Sequence, residues 1–155
     1  MNYITSAHQA ELNAAAKMRE WGFIDATATT GGSDGGIDVR SRKALAQVKW
    51  RGGVAGRPDL QLLVGARGTD TDKQLMFFAA SGYSKQAVEY AKSMGIALYT
   101  YDPTGAVQAV SGSATRPTSW SVPWRPSERL QTGLLLIVGL LAALVLMSLV
   151  WTTNG

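Results

Sequence analysis

The stretch QLMFFAASGYSKQAVEYAKSMGIALYTY, Gln74 to Tyr101, decides the fold class. Gln74 to Ala80 is an unbroken apolar run of strand length, Ser84 is placed to cap a helix that ends before Gly95, and Ile96 to Tyr101 is a second strand. A strand, a helix and a strand in so short a span imply two neighbouring parallel strands joined by a right-handed crossover.

Working outward, Pro58 suits the first turn of a helix running to about Ala66. Before it, Ala44 to Trp50 and Ile37 to Arg40 flank a short Ser-Arg-Lys turn, and Phe23 to Thr29 alternates and is rich in strand formers, so these three form a meander. Thr30 to Gly36 is a glycine loop. Ser6 and Gln9 have capping-box spacing and Gly22 follows Trp21, which frames a helix from about 7 to 21 whose buried stripe is expected to be Leu12, Ala15, Ala16 and Trp21. The expected order is α-β-β-β-α-β-α-β, a mixed α/β (α+β) sheet, with Ala106 to Val110 as a possible closing strand. No internal repeat is present.

Composition limits the chemistry. The chain has 155 residues, no cysteine and one histidine, His8. A disulfide scaffold, a thiolate zinc site, a cysteine nucleophile and any site needing two histidines are therefore excluded. With no second histidine to activate them, Ser81 and Ser84 read as turn and cap rather than nucleophiles. The formal charge of +4 permits a polyanion partner without arguing for one, because clustered cations matter more than their total.

Three pieces of sequence carry chemistry when taken together: Glu11 in the first helix, the loop GGSDGGID from Gly31 to Asp38, and AQVKW from Ala46 to Trp50. In a strand, Gln47 and Lys49 point to one face while Ala46, Val48 and Trp50 point to the other. If the preceding strand pairs antiparallel, Asp38 at its start approaches Lys49 near the far end of the next. An acid, an amide oxygen and an ammonium then converge. That set suits metal-assisted hydrolysis of a phosphodiester: Asp38, Gln47 and the Val48 carbonyl offer hard oxygens to Mg2+ (or Mn2+), and Lys49 orients water and offsets developing charge. Since Gln47 brings no charge, Glu11 is the candidate for a further carboxylate. Arg40, Arg42, Lys43, Arg51 and Arg57 are expected to crowd around the site as phosphate contacts.

The ordered set of a helical Glu, then SDGGID, then QVK, then an apolar strand ending Ala-Ser-Gly-Tyr-Ser and a helix beginning Lys-Gln-Ala resembles the Mrr-type restriction endonuclease branch of the PD-(D/E)xK nucleases over about residues 6 to 110. The resemblance implies a restriction endonuclease-like core and a Mg-dependent endodeoxyribonuclease, with DNA as substrate, no small-molecule cofactor and a possible homodimer. It makes Asp38, Gln47 and Lys49 the metal-binding and water-activating residues, Glu11 the helical acid and Asp34 the loop acid. Ser33, Asp34, Arg40 and Arg51 are the substrate-contact candidates. The Gln at position 47 is itself typical of Mrr-like members. A junction-resolving nuclease of the Holliday type shares the same core, and an inactive DNA-binding module is the alternative of a different class.

The last part of the chain is different in kind. Residues 133 to 151, GLLLIVGLLAALVLMSLVW, hold no charge, and a helix over Leu134 to Trp151 is about 27 Å long, close to the hydrocarbon thickness of a bilayer. Trp120, Trp124 and Trp151 fall near its ends, and Arg116, Arg125 and Arg129 all lie on its N-terminal side. The expectation is one transmembrane helix in the cell membrane with the N-terminal domain cytoplasmic. The division is a nuclease domain at 1–112, a Pro- and Trp-containing tether at 113–131, the span at 132–151 and a short tail at 152–155.

Overall fold

The computed structural model describes residues 3–29, 35–50 and 52–110. The elements are α1 (Ala7–Glu20), β1 (Thr27–Ala28), β2 (Val39–Arg40), β3 (Ala44–Lys49), α2 (Arg57–Arg67), β4 (Gln74–Ala79), α3 (Lys85–Met94), β5 (Ala97–Tyr101) and β6 (Val107–Ala109). The strands form one mixed sheet in chain order, β1-β2-β3-β4-β5-β6. β1, β2 and β3 are an antiparallel meander, β3, β4 and β5 run parallel, and β6 returns antiparallel along β5. The order, the meander, the parallel pair and the closing strand agree with the sequence reading.

Two right-handed crossovers stepping the same way along a sheet place their helices on the same face. Accordingly α2 and α3 cover one face, over Leu45, Leu75, Phe77, Ala79 and Leu98, and α1 covers the other, over Ala44, Ala46, Met76, Phe78 and Tyr99. β4 is buried on both faces, which is why its sequence is continuous rather than alternating. On the α1 face Tyr99 stacks between Trp21, 4.5 Å between centroids, and Phe78, 5.0 Å. The α3 crossover is fixed at both ends: Ser84 Oγ accepts the Ala87 N–H at 3.2 Å, and Gly95 ends the helix in the left-handed region, φ 67°.

Three local readings need correction. The buried residues of α1 are Ala10, Ala14, Ala15 and Met18, whereas Leu12 is 48 % exposed; the small residues lie against the sheet because the helix backbone approaches it closely. The first strand shortens to Thr27–Ala28, because Asp25 is taken out of the extended run. Its carboxylate accepts from Ser41 Oγ at 2.9 Å and from the Arg42 backbone N–H and Nε at 3.0 Å, so it ties off the β2–β3 turn. The Arg42 amide, then the Ser41 hydroxyl, holds Asp25 down at about 2. The capping box at α1 is only half formed: Ser6 Oγ accepts the Gln9 N–H, but Gln9 Oε1 turns to Thr5.

Among the described residues no helix is long and apolar enough to cross a membrane. The span read at 132–151, with its tether and tail, lies outside them.

Candidate active site

β2 and β3 pair at only two positions, Val39 with Ala46 and Arg40 with Leu45, and then part. Asp38 stands where they part. Ile37 packs toward α2 and α3 while Val39 packs toward α1, so the period-two alternation breaks at the residue between them. The Asp38 N–H still donates to the Ala46 carbonyl at 2.9 Å, but the next amide of β3, that of Val48, donates to Asp38 Oδ2 at 2.7 Å. A carboxylate thus stands in for a strand carbonyl. In an extended strand the C=O of a residue points to the same side as its N–H, so the Val48 carbonyl faces the same splayed edge as Asp38.

Burial pushes Asp38 up to about 6; the Val48 N–H offsets part of that rise and the negative charge of Glu11 adds to it. Glu11 comes from α1, on the opposite side of the sheet from α2. Its side chain is mostly covered and lies 3.3 Å from His8 Nδ1. His8 is exposed and is the neighbour of Glu11 one turn earlier on the same helix.

Gln47 and Lys49 share the α2 face with Leu45, as strand parity requires. Gln47 Oε1 is buried and has no hydrogen-bond partner among the described residues, an arrangement that costs free energy unless something supplies a positive charge or a donor. The amide is held by the chain above it. Gly36 has φ +85°, and a Cβ built there would sit 2.9 Å from Gln47 Nε2. Gly36→Ala is therefore expected to displace the Gln47 amide and to lower cleavage roughly tenfold or more while the fold survives, because one side chain at the end of a loop is moved. Plasmid cleavage beside a thermal melt checks this.

Lys49 Nζ lies 3.0 Å from Asp59 Oδ2, and the same oxygen accepts the Gly56 N–H at 2.7 Å at the start of α2. Asp59 was not singled out from the sequence. The available signal was an acid in the first turn of a helix opened by Gly56 and Pro58, where backbone N–H groups lack partners. The four candidates come from three parts of the fold, with Glu11 close enough to Asp38 for its charge to act there. Lys49 and Gln47 come from the α2 face, Asp38 lies at the splayed edge, and Glu11 reaches across from α1.

The basic residues are less concentrated than expected. Arg42 and Lys43 belong to the turn at the opposite end of β3 from Lys49, about 20 Å away at roughly 3.3 Å per residue, and Arg42 is paired with Asp25. Arg57 lies over the Tyr90 ring, 5.0 Å from its centroid. Arg40 sits on β2, half-buried. Ser33, Asp34 and Arg51 lie outside the described residues.

Among the described residues no three His, Asp or Glu side chains gather as a metal site. The donor set for a divalent ion would be the carboxylates of Asp38 and Glu11 with the neutral oxygens of Gln47 and Val48. These residues fit a hard cation: an amide oxygen buried without a partner among the described residues, and an acid whose pKa is raised by burial and further by Glu11, are what a divalent ion would satisfy and discharge.

No curated protein and no solved structure gives a significant match. The Mrr_cat family, described as restriction endonuclease, matches residues 5–103, from the residue before the α1 cap to the turn after β5. That match takes in well over half of the chain and every described candidate residue, and on it the chain belongs to the Mrr-type restriction endonuclease family.

Proposed function

We propose that this chain is a divalent-metal-dependent DNA endonuclease whose active residues are Asp38, Gln47, Lys49 and Glu11, and which a C-terminal helix holds at the cytoplasmic face of the cell membrane. The observation that supports the reading is the splayed end of β2 and β3, where the Asp38 carboxylate takes the N–H of Val48, the residue that stands between Gln47, whose amide oxygen is buried without a partner among the described residues, and Lys49. Asp38, Glu11, Gln47 Oε1 and the Val48 carbonyl would hold Mg2+ or Mn2+, which supplies Lewis acidity and an acidified water. Lys49 donates to the phosphate oxygen on which charge grows during attack, and being fixed to Asp59 it needs no reorganisation at that moment. Asp38 must be ionised to serve, so its high pKa makes activity rise through about pH 6. Cutting both strands of a duplex calls for two such sites, which a homodimer provides.

Supercoiled plasmid, branched DNA and modified DNA incubated with the full chain and Mg2+, Mn2+ or EDTA test the reading. Relaxed or linear plasmid only with metal is expected. Preference for branched DNA would move the assignment to a junction resolvase, and no cleavage with either metal would leave a DNA-binding module.

The membrane placement rests on the uncharged run at 133–151 and the arginines before it. The Pro-rich segment, Ser111 to Glu128, spans up to about 55 Å if extended at about 3.1 Å per residue, enough to hold the domain clear of the bilayer for duplex DNA. Protease added to sealed right-side-out cells is expected to leave residues 1–130 intact. Digestion of that region would refute the orientation, and recovery of the full chain in the soluble fraction would refute the anchor.

A further inference from the structure

The chain leaves β3 at Lys49 and is tied to the sheet again at Ala55. Ala55 is buried and forms a parallel bridge with Tyr83: its N–H donates to the Gly82 carbonyl at 2.9 Å, and its carbonyl accepts from the Ser84 N–H at 2.9 Å. The turn that holds it is itself fastened to the sheet. Tyr83 Oη lies 2.7 Å from the Phe77 carbonyl of β4 and 2.7 Å from the Tyr99 carbonyl of β5, and its ring packs edge-on against Phe77. The start of α2, which follows Ala55 directly, therefore has a fixed place relative to β4 and β5.

Asp59 hangs from that mount. The N–H of Gly56, the residue after Ala55, donates to Asp59 Oδ2 at 2.7 Å, and Lys49 Nζ reaches the same oxygen at 3.0 Å. An acid that only caps its helix needs the first bond and not the second. A lysine head on its four-carbon stem has many rotamers and keeps one place only when something holds it. Among the described residues Asp59 is the one partner of the ammonium, and the backbone at Gly52, φ +99°, lies along the stem, where an added Cβ would be 3.6 Å from Lys49 Cε. The side chains of Lys49 and Asp59 are 23 % and 31 % exposed, so the pair is open enough to meet a phosphate.

We propose that Asp59 is a positioning residue for cleavage, which holds the Lys49 ammonium at one point and keeps its charge from binding a DNA phosphate in the ground state. The proposal rests on the nuclease reading and adds to it a residue outside the motif strands, on α2, carried by the turn after β4. In this role the carboxylate acts through Lys49 alone.

Asp59→Asn separates the two bonds, since an amide oxygen still accepts the Gly56 N–H but brings no charge to the ammonium. Full-length variants in detergent are compared by single-turnover plasmid cleavage with magnesium, and by anisotropy of a labelled duplex in EDTA over a range of salt. Asp59→Asn is expected to cut about ten- to a hundredfold more slowly, the effect of a reacting group misplaced by about 1 Å. It is expected to bind duplex about two- to fivefold more tightly, because the released ammonium pairs with a phosphate. The slope of log K against log salt should steepen by about one. A variant that merely loosened the fold would lose both cleavage and binding. Asp59→Glu returns the charge one methylene further out, so affinity is expected to go back to the wild-type level while cleavage recovers only in part. In a Lys49→Ala background, Asp59→Asn is expected to give no such gain in affinity or slope, as a residue acting through Lys49 requires. Wild-type cleavage and affinity in Asp59→Asn, loss of both cleavage and binding, or an equal gain in affinity with and without Lys49, would overturn the proposal and leave the nuclease reading standing. A wild-type chain that cuts no DNA with any metal would overturn the nuclease reading itself, and the positioning role with it.

Discussion

Lys49→Ala is expected to lower DNA cleavage by about two to four orders of magnitude while DNA binding changes by less than about threefold. Both halves follow from where the ammonium sits. Its partner is Asp59, so in the ground state its charge is largely answered within the protein and contributes little to holding phosphate. Charge that appears only during attack is what an already positioned donor stabilises, and that difference between the two states sets the rate. The fold should tolerate the change. Asp59 is about a third exposed and keeps its bond to the Gly56 N–H, and the lost ion pair, being partly open to water, contributes about 1 kcal/mol at most. Lys49→Arg is expected to recover only part of the rate, because a planar guanidinium cannot reproduce a compact ammonium on the same carboxylate oxygen. Single-turnover cleavage of plasmid beside anisotropy of a labelled duplex measures the split. Cleavage by Lys49→Ala within tenfold of the wild type would remove the residue from the mechanism.

The features that were legible in the sequence are those set by local rules. The apolar run of β4, the Ser84 cap and Gly95 each act within a few residues, and together they placed the parallel core and its crossover. The parity of Gln47 and Lys49 is equally local, since it needs only that β3 be a strand. What escaped depends on partners far along the chain. Asp25 shortens β1 because the turn it binds is sixteen residues away, and no spacing rule connects the two. Asp59 reaches Lys49 from another element, and its own neighbourhood explains only its bond to Gly56. The basic residues were grouped because they are near in sequence, yet a six-residue strand separates the turn that carries Arg42 from the end that carries Lys49. The break at Asp38 was half legible: antiparallel pairing was expected to bring it toward Lys49 at the end of β3, whereas its carboxylate takes the Val48 N–H, and only tertiary packing turns Ile37 and Val39 to opposite faces.

Asp38→Asn is expected to abolish cleavage and, in the absence of metal, to make the protein more stable at neutral pH. The sign follows from the direction of the shift. Asp38 is raised from 3.8 to about 6, chiefly by burial and secondarily by Glu11, so in the window between these values the folded state binds more protons than the unfolded one. The stability that protonated Asp38 contributes is complete below about pH 4 and is lost as pH rises through about 6. At pH 7 the ionised group costs the fold about 1–2 kcal/mol once the water that still reaches it is allowed for. Asparagine carries no charge and keeps an oxygen to accept from the Val48 N–H, so it removes that cost without breaking the splayed edge. In a domain of this size the gain corresponds to a rise of several degrees in Tm, from about 4–8 °C per kcal/mol. The difference should vanish at pH 4, where the wild-type group is itself mostly neutral. Divalent metal should reverse the order at pH 7: an ion bound by Asp38, Glu11 and the Gln47 oxygen stabilises the wild type by mass action and leaves the variant, lacking its principal anion, little changed. Thermal melts of both proteins at pH 4 and 7, with EDTA and with magnesium, read all four cases. A variant less stable than the wild type at pH 7 in EDTA would mean that the Asp38 carboxylate is held by favourable contacts rather than stranded by burial, and the assignment of a metal to this edge would lose its basis.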